Sequence, residues 1–206
     1  MADVRSRAVT FFFDPACPWT WVTSRWLVAA AAQRDLTITW RPYSLLAKNG
    51  EDVPEERRSG LQASHRALRV IVDLDREIGN EAVAAFYTEI GHRTFTDGQA
   101  PVDLADALRA PGLDRTHADA ADDTSLDTVI QSAMDDAHDL AGTGSGSPIL
   151  AVAGTGRGFF GPVLTAVPGD ENAGALWDHL VGLQAITEFH ELKRDRDTSP
   201  TFPPRG

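Results

Sequence analysis

The chain has one cysteine, Cys17, set in Asp14-Pro15-Ala16-Cys17-Pro18-Trp19-Thr20-Trp21. A thiol attacks only as the thiolate; a free cysteine ionises near pH ~8.5, and a helix N-terminus lowers that value. Proline is favoured at the first position of a helix, where its missing N–H is no loss. Pro18 in that place makes Cys17 the N-cap and Thr20 the third helical residue. The thiol then faces the amides of Trp19 and Thr20. A fall of two pKa units needs about 2.7 kcal/mol of preference for the anion. A helix dipole supplies about 0.3–1 kcal/mol when exposed and ~2 when partly buried. Direct donors must supply the rest, and the two amides and the Thr20 hydroxyl are the candidates. The alternative, that Cys17 is a small buried apolar residue, fits poorly with a position between a strand end and a proline-initiated helix.

The flanking elements must position that thiol. Val9 to Phe13 is apolar except for Thr10, the pattern of a strand buried on both faces. Trp19, Val22, Trp26 and Ala30 recur at helical spacing after it. Leu36, Ile38 and Trp40 alternate with Thr37 and Thr39, which predicts a second strand ending at Pro42. Strand, helix and strand in so short a span form a βαβ unit with parallel strands. From Val53 to about Gly142 the pattern predicts helices only. One starts at Pro54-Glu55-Glu56, and others span Glu81 to Phe95, Val102 to Leu108 and Thr124 to Leu140. Ile149 to Val152 and Phe159-Phe160 then read as an antiparallel hairpin across a glycine-rich turn. A helix follows from Asp170 through Leu183, and Ile186 to Arg194 predicts a further helical turn or two.

The order β-α-β, helical insertion, β-β-α predicts an α/β protein with a thioredoxin-like core at 1–48 and 145–206 and an all-helical insertion at 49–144. At 206 residues, 42% hydrophobic and 24% charged, the chain is long enough for one such domain with an insertion. Its net charge of −11 repels phosphate backbones and anionic lipid, so nucleic acid and membrane surfaces are not expected partners. One cysteine excludes an internal disulfide. The polar start, Met1 to Arg7, lacks the apolar core of a signal peptide, and no run reaches the ~18 apolar residues of a membrane span. The expected setting is a reducing cytoplasm.

Cys17-Pro18-Trp19-Thr20 at a first helix resembles the Cys-Pro-x-Cys site of DsbA-like proteins. The longer string from Asp14 to Trp26 is similar to the actinobacterial, mycothiol-dependent nitroreductase family. Phe159-Phe160-Gly161-Pro162-Val163-Leu164 resembles that family's last strand. Leu176-Trp177-Asp178 and Phe189-His190-Glu191-Leu192-Lys193-Arg194 resemble its C-terminal helices. The resemblance implies a thiol oxidoreductase and a cis-proline loop facing the sulfur, which Ser147-Pro148 would supply beside a bound thiol or disulfide. It implies a solvent-facing Trp19 for an aromatic or electrophilic substrate, in a pocket between sheet and helical block. His65 and Arg66 would sit on a helix covering the site; contact with an acidic thiol co-substrate and a plain surface role are both open for them.

Thr20 departs from the pattern, since the family usually has a second cysteine there. That cysteine resolves mixed disulfides, so here the resolving thiol must come from another molecule. Mycothiol is implied as co-substrate, with a glutathione-type thiol the alternative, and no tightly bound cofactor is expected. Reduction of nitro-aromatic compounds is implied by the family and put in question by Thr20. Kappa-class glutathione transferases and hydroxychromene carboxylate isomerases share the topology with serine at the Cys17 position. A thiol S-transferase or isomerase, and a non-catalytic thiol-ligand binding protein, are therefore the alternatives. A homodimer is compatible with the sequence, which does not fix the oligomeric state. Gly156 to Gly161 spells GxGxxG but opens a strand, so it is a turn rather than a nucleotide fingerprint. There is no HExxH and no Cys/His pair with zinc spacing, so no metal site is expected.

Overall fold

The computed structural model describes residues 8–205; residues 1–7, read above as lacking a leader, and residue 206 lie outside the described residues. Strand β1 (Ala8–Phe13) leads through helix α1 (Pro18–Arg34) to strand β2 (Thr37–Pro42). β1 and β2 run parallel, with Val9 opposite Ile38 and Phe13 opposite Pro42. β3 (Ile149–Val152) lies antiparallel on the other side of β1, and β4 (Gly158–Phe160) pairs antiparallel with β3. The sheet order is β2-β1-β3-β4. An edge strand exposes unpaired backbone groups, and here a side chain covers part of that edge. Asn80 accepts from the Trp40 amide at 2.7 Å and donates to the Trp40 carbonyl at 2.9 Å.

Between β2 and β3 stand α2 (Leu45–Asn49), α3 (Glu55–Glu77), α4 (Asn80–Gly91), α5 (Leu104–Arg109) and α6 (Asp127–Ala141), with no strand among them; α7 (Asp170–Gln184) follows β4. Successive side chains of β1 point to opposite faces. Phe11 and Phe13 pack edge-on against Trp40, and Phe13 meets Tyr87 of α4 at 4.1 Å between ring centres. Trp21 of α1 stands edge-on to the same Tyr87. On the other face Arg41 lies over Phe12 and pairs with Asp136 of α6. α7 packs against α1, with the buried Trp26 indole donating to the Ala173 carbonyl at 3.0 Å.

Gly91 shows why α4 can lie so close to α1. A Cβ there would sit 2.2 Å from the Trp21 ring, so any larger residue would push the helices apart. α4 then passes into a π-helical turn at His92–Thr96, where the sequence predicts one continuous helix to Phe95.

Other boundaries differ for local reasons. The helix expected from Val102 starts at Leu104, because Asp103 caps it by accepting from the Asp106 amide at 3.0 Å. The helix expected from Thr124 opens with a 3-10 turn, Thr124–Leu126, before α6. Three elements are additional: α2, capped by Ser44, a 3-10 turn at Gly50–Asp52, and a 3-10 helix at Arg115–Asp122, capped by Asp114. The helix expected at 186–194 is absent. Ile186 and Leu192 are exposed there, and a short helix with no apolar face to bury is not stable alone.

α1 also buries more than the expected stripe. Thr20, Trp21, Thr23, Ser24 and Leu27 are buried as well, because the sheet, α4 and α7 enclose the helix. Trp19, expected in that stripe and at the solvent, is half-buried.

Candidate active site

Cys17 is the N-cap of α1, in extended conformation, with Pro18 at the first helical position. The chain reaches it through a tight turn in which the Cys17 amide donates to the Asp14 carbonyl at 3.1 Å. The Ser147–Pro148 peptide is cis, and the Ser147 carbonyl faces the sulfur: the Cys17 thiol donates to it at 3.6 Å. The Ser147 hydroxyl accepts from the Asp14 amide at 3.0 Å and lies 2.9 Å from the Thr20 hydroxyl. Cys17, Thr20, Ser147 and Pro148 therefore meet at one place, joined across more than a hundred residues of sequence.

The electrostatics differ from the expectation of a lowered thiol pKa. Burial pushes the Cys17 thiol up, and the neighbouring Asp14 carboxylate adds to this. The Thr20 hydroxyl and the amides of Thr20 and Trp19 pull the other way. The donors foreseen at the helix start lie close, although Cys17 makes no side-chain capping bond; the residue is only 6% exposed, and lost hydration outweighs them. In this conformation burial favours the thiol over the thiolate.

Asp14 organises the rest and was not foreseen as a site residue. It is 1% exposed. Its carboxylate accepts from the Ala16 amide at 2.8 Å, the Leu45 amide at 2.6 Å and the Ser64 hydroxyl at 2.5 Å. Ser64 also accepts from the Ala16 amide at 3.0 Å. One buried side chain thus ties the Cys17 turn to the starts of α2 and to α3. Burial pushes the Asp14 carboxyl up; the bonds from Ser64, Leu45 and Ala16, and the nearby His65, oppose that. The sequence signal was a carboxylate ending an apolar strand three residues before the thiol.

His65 lies next to Ser64, but its ring is committed elsewhere. Nδ1 is 2.8 Å from the Ser44 hydroxyl and Nε2 is 3.0 Å from Asp127, which Arg69 also holds. Arg66 pairs with Asp122. Trp19 lies under the Arg196 guanidinium, 4.9 Å from its ring centre. Arg25 lies over Trp21 and donates to Thr88. The groove between β2, α3 and α6, lined by Trp40, Ile71, Leu126 and Val129, does not include Cys17, so it is not the pocket expected beside the thiol.

A sheet of this order, with a thiol at the start of its first helix and a cis-proline loop against the sulfur, defines a protein of the DsbA-like thioredoxin fold. The Rv2466c-like family, described as mycothiol-dependent nitroreductase Rv2466c, matches residues 16–194. The chain belongs to that family, whose members are thiol-dependent oxidoreductases. It is 34% identical over 196 residues to the uncharacterized protein Rv2286c of Mycobacterium tuberculosis, spanning 91% of this chain and 82% of that protein. In fold it is similar to the cytosolic disulfide reductase DsbM from Pseudomonas aeruginosa, solved with GSH. That likeness has a TM-score of 0.59 at 14% identity and covers 85% of this chain and 100% of the other. The probable DsbA oxidoreductase SCO1869 from Streptomyces coelicolor is similar too, with a TM-score of 0.56, 18% identity and 92% and 94% coverage. At these identities the two structures bear on the fold alone. Among the described residues, no helix is long and apolar enough to cross a membrane.

Proposed function

We propose that the protein is a monothiol oxidoreductase of a reducing cytoplasm in which Cys17 works with an external low-molecular-weight thiol, mycothiol by family and a glutathione-type thiol otherwise. The observation that carries this is the pairing at the start of α1. The only thiol in the chain faces the cis-proline loop, and Thr20 stands where a resolving cysteine would be. The Cys17 thiolate attacks a small disulfide, forming a Cys17–thiol mixed disulfide and expelling the other half as a thiolate. A second thiolate then attacks the mixed disulfide and returns Cys17. With a nitro-aromatic substrate the same cycle oxidises two thiols to one disulfide for each two-electron reduction, the first of which takes the nitro group to nitroso and releases one oxygen as water.

Ser147 and Pro148 would hold the incoming thiol beside Cys17, with Pro18 and Trp19 flanking it. Thr20 would stabilise the thiolate, and His65 would brace the insertion through Ser44. We assign the catalytic core to 1–48 and 145–206 and the covering subdomain to 49–144; the Ser64–Asp14 bond supports coupling between them. Intact mass after incubation with oxidised mycothiol or glutathione tests the reading. The expected result is a single adduct that Cys17→Ser abolishes. The absence of any adduct near neutral pH contradicts it.

One observation favours a second reading. A buried thiol that donates a hydrogen bond, as Cys17 does to the Ser147 carbonyl, is suited to donate one to a bound thiolate, the part played by serine in kappa-class transferases. Thiol conjugation to an electrophile that survives Cys17→Ser would select the S-transferase or isomerase instead.

A further inference from the structure

Beyond α7 the described residues form no helix or strand, yet they stay on the molecule. Phe189 stands edge-on to Phe159 of β4, with ring centres 5.5 Å apart. Arg196 covers Trp19, two residues from the active thiol. The Thr201 amide donates to the Thr165 carbonyl at 2.7 Å. Phe202 packs on Phe95 at 5.1 Å, and Phe95 stacks on Trp21, one turn beyond Cys17. The Thr96 hydroxyl donates to the Pro203 carbonyl at 3.1 Å. Arg205 then closes on Glu89 at 2.9 Å and on Asp97 at 2.6 Å. The path runs from β4, past the first turn of α1, to the end of α4.

Two features set this segment apart. The family match stops at residue 194, so Arg196, Phe202 and Arg205 all lie beyond it. The segment is also held at points rather than along its length. From 185 to 199 every residue except Phe189 is exposed, and the fixed contacts concentrate at 201–205. An exposed ion pair or cation–π contact is individually weak. Segments of this kind open locally far more readily than a core strand.

We infer that the C-terminal tail is a strap across the approach to Cys17, and that it sets by size which thiols and electrophiles reach the sulfur. Arg205 is its anchor, and Arg196 on Trp19 is the contact closest to Cys17 along α1. The inference rests on Cys17 being the nucleophile proposed above. A reagent small enough to pass beneath the strap reacts with the closed form. A larger one must wait for the open form, and its rate is scaled by the open fraction.

Cys17 is the only thiol in the chain, so its alkylation can be followed by intact mass with iodoacetamide as the small probe and N-(1-pyrenyl)maleimide as the bulky one. Arg205→Glu in the full chain sets a like charge against Glu89 and Asp97 and should release the anchor. We expect the pyrenylmaleimide rate to rise about tenfold, while the iodoacetamide rate rises less than about threefold. A chain ending at residue 194 should show a larger rise with the bulky probe. Should that chain not fold, Arg205→Glu and Arg196→Gln carry the test. An unchanged ratio of bulky to small rates, with Cys17 reacting readily in every form, overturns the strap and leaves the nucleophile reading standing. No reaction with either probe in any folded form, while the unfolded chain reacts, overturns both.

Discussion

The turn that carries Cys17 and the tail that crosses it are built in opposite ways. In the turn, the buried Asp14 carboxylate has three donors, the Ser147 hydroxyl bridges the Asp14 amide and Thr20, and the sulfur has its own acceptor. All but the local Ala16–Asp14 bond join segments distant in sequence, so no single element can move without breaking contacts to the others. The tail is exposed, irregular and held mainly at its end. A reacting atom placed in a rigid, shared network needs its adaptability from elsewhere, and the tail is where this molecule has it. Substitutions in the turn should therefore change stability and thiol chemistry together, whereas substitutions in the tail should change access alone.

The largest effect is expected at Asp14. Asp14→Ala leaves the Leu45 amide and the Ser64 hydroxyl without their acceptor, while the Ala16 amide keeps its bond to Ser64. Unpaired buried groups cost about 1–3 kcal/mol each, so denaturant unfolding should show a loss of about 2 kcal/mol or more. Asp14→Asn keeps the shape and removes the charge, which lowers the Cys17 pKa by relieving repulsion, read from the pH profile of alkylation. It also changes the pH dependence of stability. The folded-state pKa of Asp14 is raised, so its contribution is complete below the ordinary carboxylate value and is lost as pH rises through the raised one. Asp14→Asn should remove that downward slope. An unaltered slope would show that Asp14 is not the titrating group.

Next in size is Gly91→Ala. Its new methyl group would overlap the Trp21 ring, and overpacking of this kind costs about 1–3 kcal/mol. Thermal unfolding of that variant measures how tightly α4 fixes α1 behind the thiol. Thr20→Val keeps the volume but removes the hydroxyl beside Ser147, and should cost about 1 kcal/mol. It should also raise the thiol pKa further, because one of the groups favouring the thiolate is lost.

The smallest stability effect is expected in the tail. Arg205→Gln should change global stability by less than about 1 kcal/mol, as exposed ion pairs do. The anchor also has its own pH dependence. Arg205 holds Asp97 below the usual carboxylate range; at Glu89, Arg205 and Arg93 together outweigh the upward pull of partial burial. For lowered pKa values the attachment is complete above the ordinary carboxylate range and is lost as pH falls through the lowered ones. Trp19 fluorescence should therefore change on acidification in the native chain and not in Arg205→Gln.

The same contrast explains what could be read from the sequence. β1, α1 and β2 were legible because period-two and helical patterns, a proline at the first helical position and the strand-ending Asp14-Pro15 all agree locally. Cys17, Thr20 and Ser147-Pro148 were legible because a thiol, a proline and a strand start carry their own chemistry. Asp14 and Ser64 as site residues were not, since their role arises only when α3 folds back over the turn. The raised thiol pKa was missed for the same reason: helix donors can be seen in sequence, whereas burial by other segments cannot. The tail was misread at 186–194 because charged helical spacing looks alike whether or not a surface exists to receive it.

The central claim is that Cys17 reacts alone and borrows its resolving thiol. The direct measurement is to form the Cys17 mixed disulfide with mycothiol, remove the free thiol, and follow the adduct by intact mass with and without fresh thiol. The account predicts an adduct that persists by itself and is released at a rate proportional to added thiol. Release at the same rate without thiol would contradict it.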